Sequence, residues 1–268
     1  MRILEDYLSL CLAKASENTR LSYRRDLSSL ASYYGDVLLS LKRDEIEEYL
    51  AFRNTECSFA TMRRMLSVFR SFFSYLKRIG LREDDPTEGI LPTAYSGVRP
   101  TVLTAEQFLM LIDVHTVGIR GERDRTMLLL LYYTGIKVSE LVSLRRSDFS
   151  SEEGSLFCGK GEHRRCLFLS AEVTAALKRY LTLAELQRED KDAPLFLNTS
   201  GGFLTRQAFW KILRERAARC GLPSGITPQS LRFSFSERLL SDGVERQTVR
   251  ELLGNTAIGQ LGKSRDIV

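Results

Sequence analysis

The sequence predicts a mainly α-helical chain with a small antiparallel β-sheet, divided into two domains near residue 96. Three observations carry that prediction. Apolar residues recur at helical spacing over most of the chain, most clearly at Met62, Met65, Leu66, Phe69, Phe73 and Leu76. Only Ser155–Ser170 (SLFCGKGEHRRCLFLS) alternates and turns instead, which predicts two strands around a basic GKGEHRR loop. Between the two halves, Asp85–Pro100 holds three prolines and two glycines without periodicity, the composition of an exposed connection.

The first domain, residues 1–96, reads as four helices over Ile3–Lys14, Asn18–Tyr34, Asp44–Arg53 and Ala60–Ile79. The last has one apolar stripe with arginines opposite. Ser58 is placed to accept bonds from the free NH groups at its start, and Gly80 to close its end in a left-handed conformation. In the second domain, residues 97–268, Thr104-Ala-Glu-Gln107 reads as a capping box, and Met127–Tyr133 as a core helix ended by Gly135. Beyond the strands, helices are expected over Ala171–Gln187, Thr205–Cys220, Pro228–Ser241 and Glu245–Leu253. Thr227 caps the third, with Pro228 at its first position, where a missing NH is harmless.

With 268 residues and 43% apolar content, the chain is long enough to bury two cores. No run of eighteen apolar residues occurs, and acids interrupt MRILEDYLSLCLAK, so no membrane span or signal peptide is expected and a cytoplasmic location is. Cys11, Cys57, Cys158, Cys166 and Cys220 lack CxxC spacing and have only His115 and His163 beside them; reduced thiols, no metal and no cofactor are expected. The net charge of +5 permits nucleic-acid binding without requiring it. Residues 1–98 balance 14 Lys+Arg with 14 Asp+Glu, so the excess, 25 against 20, lies in residues 99–268. A phosphate-binding surface in the first domain would have to come from local clusters, Arg20, Arg24 and Arg25 or Arg63, Arg64 and Arg70, which otherwise form ordinary solvated helix faces.

Four stretches follow one another along the chain: SFATMRRMLSVFRSFFSYLKRIGLREDDPTEGI, YYTGIKVSELVSLRRSDF, APLFLNTSGGFLTRQAFWKILRERAARCGL and ITPQSLRFSFSERLLSDGVERQTVRELLGN. In this order, over about residues 3–258, the chain resembles the Xer group of tyrosine recombinases, in the phage integrase family. The resemblance implies a helical core-binding domain and a catalytic domain that close as a C-shaped clamp on duplex DNA, acting as a homo-oligomer or with a partner recombinase. It also implies site-specific recombination, as in chromosome dimer resolution or element integration. In the family a tyrosine attacks the scissile phosphate to give a 3′-phosphotyrosyl intermediate, without metal or ATP. Two arginines and a His or Trp steady the phosphate, a lysine protonates the leaving oxygen, and a histidine assists the tyrosine.

Carried over position by position, the resemblance implies a partly substituted site. The first arginine falls on Lys137 in TGIKVSEL, which keeps the charge but loses the planar fork, and Glu140 fits the supporting acid. Lys160 in GKGEHRR matches the hairpin lysine. In Thr227-Pro228-Gln229-Ser230-Leu231-Arg232 the HxxR spacing survives: Arg232 stands at the second arginine, while Gln229 replaces a histidine and cannot shuttle a proton near neutral pH. Phe233 stands where a further His is frequent, and Asn255 replaces the last histidine. Nine residues on, the nucleophile position is Ser264, and no tyrosine follows Tyr180. The resemblance fades after Ile258, leaving a divergent or truncated end. The implied protein binds DNA with its own catalysis lost or impaired; the alternatives are a non-catalytic regulatory partner of an active recombinase, or the product of a decaying gene.

Overall fold

The apolar stripe of Met62–Leu76 is the spine of the first of two compact units, residues 1–98 and 99–268. The computed structural model describes residues 2–13, 15–35, 38–54, 57–91, 101–114, 118–159, 161, 164–184 and 192–254.

The first unit is four helices: α1 (Arg2–Leu10), α2 (Glu17–Tyr34), α3 (Arg43–Asn54) and α4 (Phe59–Arg78). Nine side chains of α4 are buried, three of them phenylalanines, and α2 and α3 pack against it. Tyr7 of α1 meets Phe72 edge to face, ring centroids 5.3 Å apart, and its hydroxyl donates to Ser71 Oγ at 2.7 Å, so a buried phenol keeps a polar partner. The expected caps of α4 form. Ser58 Oγ accepts from the Thr61 N–H at 3.4 Å, and Gly80 turns the chain at φ 74°. Helix α1 stops at Leu10, short of the expected Lys14, because Ser16 must leave the helix to cap α2, accepting from the Thr19 N–H at 3.2 Å. Half of the clustered arginines are engaged within the unit: Arg24 with Glu5, Arg64 with buried Asp26, and Arg70 with the Ile90 carbonyl. Arg20, Arg25 and Arg63 are exposed.

The second unit surrounds one helix. Helix α5 (Ala105–Ile112) begins with the expected box, in which Thr104 and Gln107 cap each other reciprocally, and α6 (Gly118–Thr134) follows. Five consecutive residues of α6, Met127–Leu131, are buried, so it is apolar all round rather than amphipathic. It packs against α8 (Ala171–Leu183), α10 (Pro228–Ser241) and α5. After the short α7 (Val138–Leu141) come three antiparallel strands in order: β1 (Phe149–Ser150), β2 (Ser155–Cys158) and β3 (Arg165–Phe168). Sequence patterning found β2 and β3; two-residue β1 is too short to show alternation. Helices α9 (Arg206–Arg219) and α11 (Arg246–Leu252) complete the unit. Arg216 of α9 is 3% exposed and donates to the carbonyls of Leu111 and Gly121, tying α9 to α5 and α6. Among the described residues no helix is long and apolar enough to cross a membrane, and no group of three or more His, Cys, Asp and Glu is placed to hold a metal ion.

Because α6 has no solvent face at its centre, a cavity there cannot relax toward water. Leu130→Ala should cost roughly 2 to 5 kcal/mol in urea unfolding, whereas Leu109→Ala at an exposed site on α5 should stay within about 0.5 kcal/mol.

Candidate functional site

The site begins where α6 ends. Gly135 adopts φ 61°, and a Cβ there would lie 2.4 Å from Phe235 Cδ1 and 2.8 Å from Leu253 Cδ2, so only glycine fits. This turn sets Lys137 before α7. Three residues on, Glu140 Oε2 accepts the Lys137 N–H at 2.9 Å, fixing the helix start.

Glu140 faces the sheet. Arg165, opposite Cys158 in the β2–β3 ladder, donates to both its carboxylate oxygens at 2.9 and 3.0 Å, and the two side chains are 14% and 11% exposed. Burial pushes the Glu140 carboxyl up, but the Arg165 fork, the Lys137 N–H and the nearby charges outweigh it and hold it below the ordinary range. Arg232 reaches the same place from α10, whose first turn is fixed by Pro228 and by reciprocal bonds between Thr227 and Ser230. It is 7% exposed and donates to the Gly135 and Leu253 carbonyls. Burial brings its pKa down to about 10, which leaves it charged at neutral pH.

Helix α11 closes the cluster. Arg165 Nε donates to the Leu252 carbonyl at 3.0 Å, Arg232 to that of Leu253, and Lys137 Nζ to that of Gly254 at 2.9 Å. Three cations therefore converge around one carboxylate. Such a cluster can hold an oxyanion by charge-assisted hydrogen bonds.

Of the positions proposed from sequence, Lys137, Glu140 and Arg232 are brought together. Gln229 is not in this cluster. It is exposed on the first turn of α10 and lines a cavity of about 730 Å³ with Val138, Trp210 and the basic Arg206, Lys211 and Arg214. The Arg214 guanidinium lies 5.1 Å from the Trp210 ring centroid, so the wall joins an aromatic face to positive charge. Lys160, Asn255 and Ser264 lie outside the described residues, as do His115 and His163. Sequence reading passed over Arg165 as one of several bases in the hairpin; its place opposite the buried Cys158 in the ladder is what aims it at Glu140.

The phage integrase family model matches residues 101–262, and the phage integrase N-terminal SAM-like domain model matches residues 4–80. The chain belongs to the phage integrase family, as a Xer-like tyrosine recombinase. The match runs past Ile258, where the sequence reading ends the resemblance, and stops before Ser264. The tyrosine recombinase XerD of Listeria monocytogenes serotype 4b is 36% identical over 270 residues, covering 96% of this chain and 91% of that protein. XerC of Herpetosiphon aurantiacus is 34% identical, covering 90% and 82%. Family members of known structure share the fold at lower identity. The Tn1549 transposon integrase in complex with transposon right end DNA superposes with a TM-score of 0.80 at 16% identity, covering 95% of this chain and 92% of that one. The XerH recombinase bound to palindromic difH substrate gives 0.73 at 23%, covering 95% and 77%.

The Glu140–Arg165 pair should be the most pH-sensitive joint of the site. At neutral pH, Glu140→Gln should cost roughly 3 kcal/mol by leaving Arg165 without its buried partner. A carboxyl depressed in the folded state contributes stability above its unfolded pKa and loses it as pH falls through the folded one. The gap between wild type and variant should therefore close in acid. Urea unfolding at neutral pH and well below pH 4 checks this; a constant gap would contradict it.

Proposed function

We propose that this chain binds duplex DNA through backbone phosphates and does not itself cut them. The observation that carries the reading is the convergence of Lys137, Arg165 and Arg232 on one place with a single carboxylate among them. A net positive cluster so far removed from water favours an oxyanion. The cavity wall beside the first turn of α10 holds Arg206, Lys211 and Arg214 against one acid, Glu215, which pairs with Lys211 at 3.8 Å, and exposed Arg20, Arg25 and Arg63 offer further phosphate contacts from the first unit. Relatives of the same fold are named as complexes with DNA, among them a lambda integrase dimer bound to a core site, which supports duplex DNA as the ligand and a pair of chains on it.

Residue identity argues against cleavage. Transfer of a phosphodiester to the protein needs a nucleophile, and the position nine residues beyond Asn255, where the resemblance implies it, is Ser264, whose hydroxyl is a poorer attacker than a phenol. Gln229 and Asn255 replace two groups that would move protons or donate to the phosphate, and Lys137 replaces an arginine fork with a point charge. Each lost donor costs about 10² to 10³ in rate, and together they outweigh what Lys160 and Arg232 still provide. The roles assigned are phosphate contact for Lys137 and Arg232, leaving-oxygen contact for Lys160, and neutral hydrogen bonding for Gln229 and Asn255.

Retardation of an inverted-repeat duplex should weaken steeply with salt, because each neutralised phosphate releases condensed counterions. Arg232→Ala should weaken it more than Arg179→Ala, at an exposed arginine of α8. Salt-insensitive retardation, or equal effects of the two substitutions, would overturn the reading. Ser264→Tyr alone should not restore cleavage of a nicked suicide duplex, whereas a family-like tail combined with Lys137→Arg, Gln229→His and Asn255→His should give a detectable covalent product.

A further inference from the structure

The last carbonyls of a helix have no partner within it and carry the negative end of its dipole. Where α11 ends, three successive carbonyls are each met by a different basic side chain: Leu252, its last residue, by Arg165 of β3, and Leu253 and Gly254 just beyond it by Arg232 of α10 and Lys137 before α7. Cations from three elements thus surround one short stretch of backbone, as they would surround the oxygens of a phosphate. Gly254 lets the approach happen. At φ 63° it bares its backbone, and a Cβ would stand 2.7 Å from Arg165 Nη1 and 2.9 Å from Cζ.

Besides these contacts, the Leu253 and Gly254 N–H groups donate to the Val249 and Glu251 carbonyls at 3.0 and 2.9 Å. Leu253 and Val249 form with Phe235 a small buried cluster apart from the main core of the unit. Among the described residues Glu140 is the carboxylate that pairs with Arg165, and the peptide carbonyls offer Lys137, Arg165 and Arg232 only partial charge. A phosphate would be the stronger acceptor for all three.

We propose that the C-terminal turn of α11, residues 252–254, is an autoinhibitory plug that occupies the anion site of this chain and must withdraw before a phosphate enters. The proposal rests on the reading of the cluster as a phosphate site. It adds that DNA binding is coupled to release of this turn, so that affinity is set by a competition between backbone carbonyls and phosphate oxygens.

Hydrogen exchange of the full chain, followed by mass spectrometry, tests it with inorganic phosphate as the probe and chloride at equal ionic strength as the control. Phosphate should speed exchange several-fold in the peptide covering 246–254 and leave peptides of α6 and α8 unchanged. Leu253→Ala, which removes the apolar anchor of the turn without touching a cation, should give the fast exchange without phosphate and should bind phosphate several-fold more tightly. Val249→Ala, which loosens the same small cluster from within α11, should shift both in the same direction. Unchanged or slower exchange on adding phosphate to the wild type would overturn the plug, as would weaker phosphate binding by folded Leu253→Ala or Val249→Ala. Failure to retard duplex DNA while phosphate still speeds exchange would overturn the functional reading and leave the plug standing.

Discussion

The bidentate contact between Glu140 and Arg165 is the joint on which the site depends. Glu140 belongs to the turn that follows the buried helix α6, and Arg165 to the sheet, so their pairing sets the start of α7 against β3. Through the Lys137 N–H the same carboxylate fixes the backbone from which the Lys137 side chain reaches out. Through its Nε, Arg165 holds the end of α11. One buried ion pair thus orients two of the three cations. Each partner also bonds a backbone group, Glu140 the Lys137 N–H and Arg165 the Leu252 carbonyl, which offsets part of the cost of burying charge.

Rigidity behind the site comes from α6. Its centre is enclosed on every side, and Gly135 at its end admits no side chain because Phe235 and Leu253 fill the space. The turn carrying Lys137 is therefore located by packing, while the partner carbonyls on α11 sit on a small satellite cluster. Leu253 belongs to both contacts, filling the space at Gly135 and packing in the small cluster, so release of the turn as proposed would also uncover the end of α6.

Much of this was legible in the sequence, for identifiable reasons. The α4 stripe and the Thr104–Gln107 box follow local rules that packing did not override, and so does the Thr227–Pro228 start of α10. Arg232 and Glu140 are legible through the resemblance alone, as the positions in TPQSLR and TGIKVSEL that match the second arginine and the supporting acid of the family. Arg165 was not singled out, since strand register decides which base of GKGEHRR turns toward Glu140, and register is a pairing between distant residues. The early end of α1 was missed because Ser16 was assigned no cap. The acceptors of α11 were beyond any sequence reading: backbone carbonyls are the same in every residue, and only the fold selects three of them.

The central claim is that a recombinase scaffold retains a phosphate-holding cluster while lacking the chemistry to use it. A nicked suicide duplex, incubated with the unaltered chain and resolved on native and denaturing gels, tests it most directly. The account predicts retarded DNA on the native gel and no covalently linked protein on the denaturing one. A covalent protein–DNA product from the unaltered chain would contradict the account, and mapping the linked peptide would identify the attacking residue.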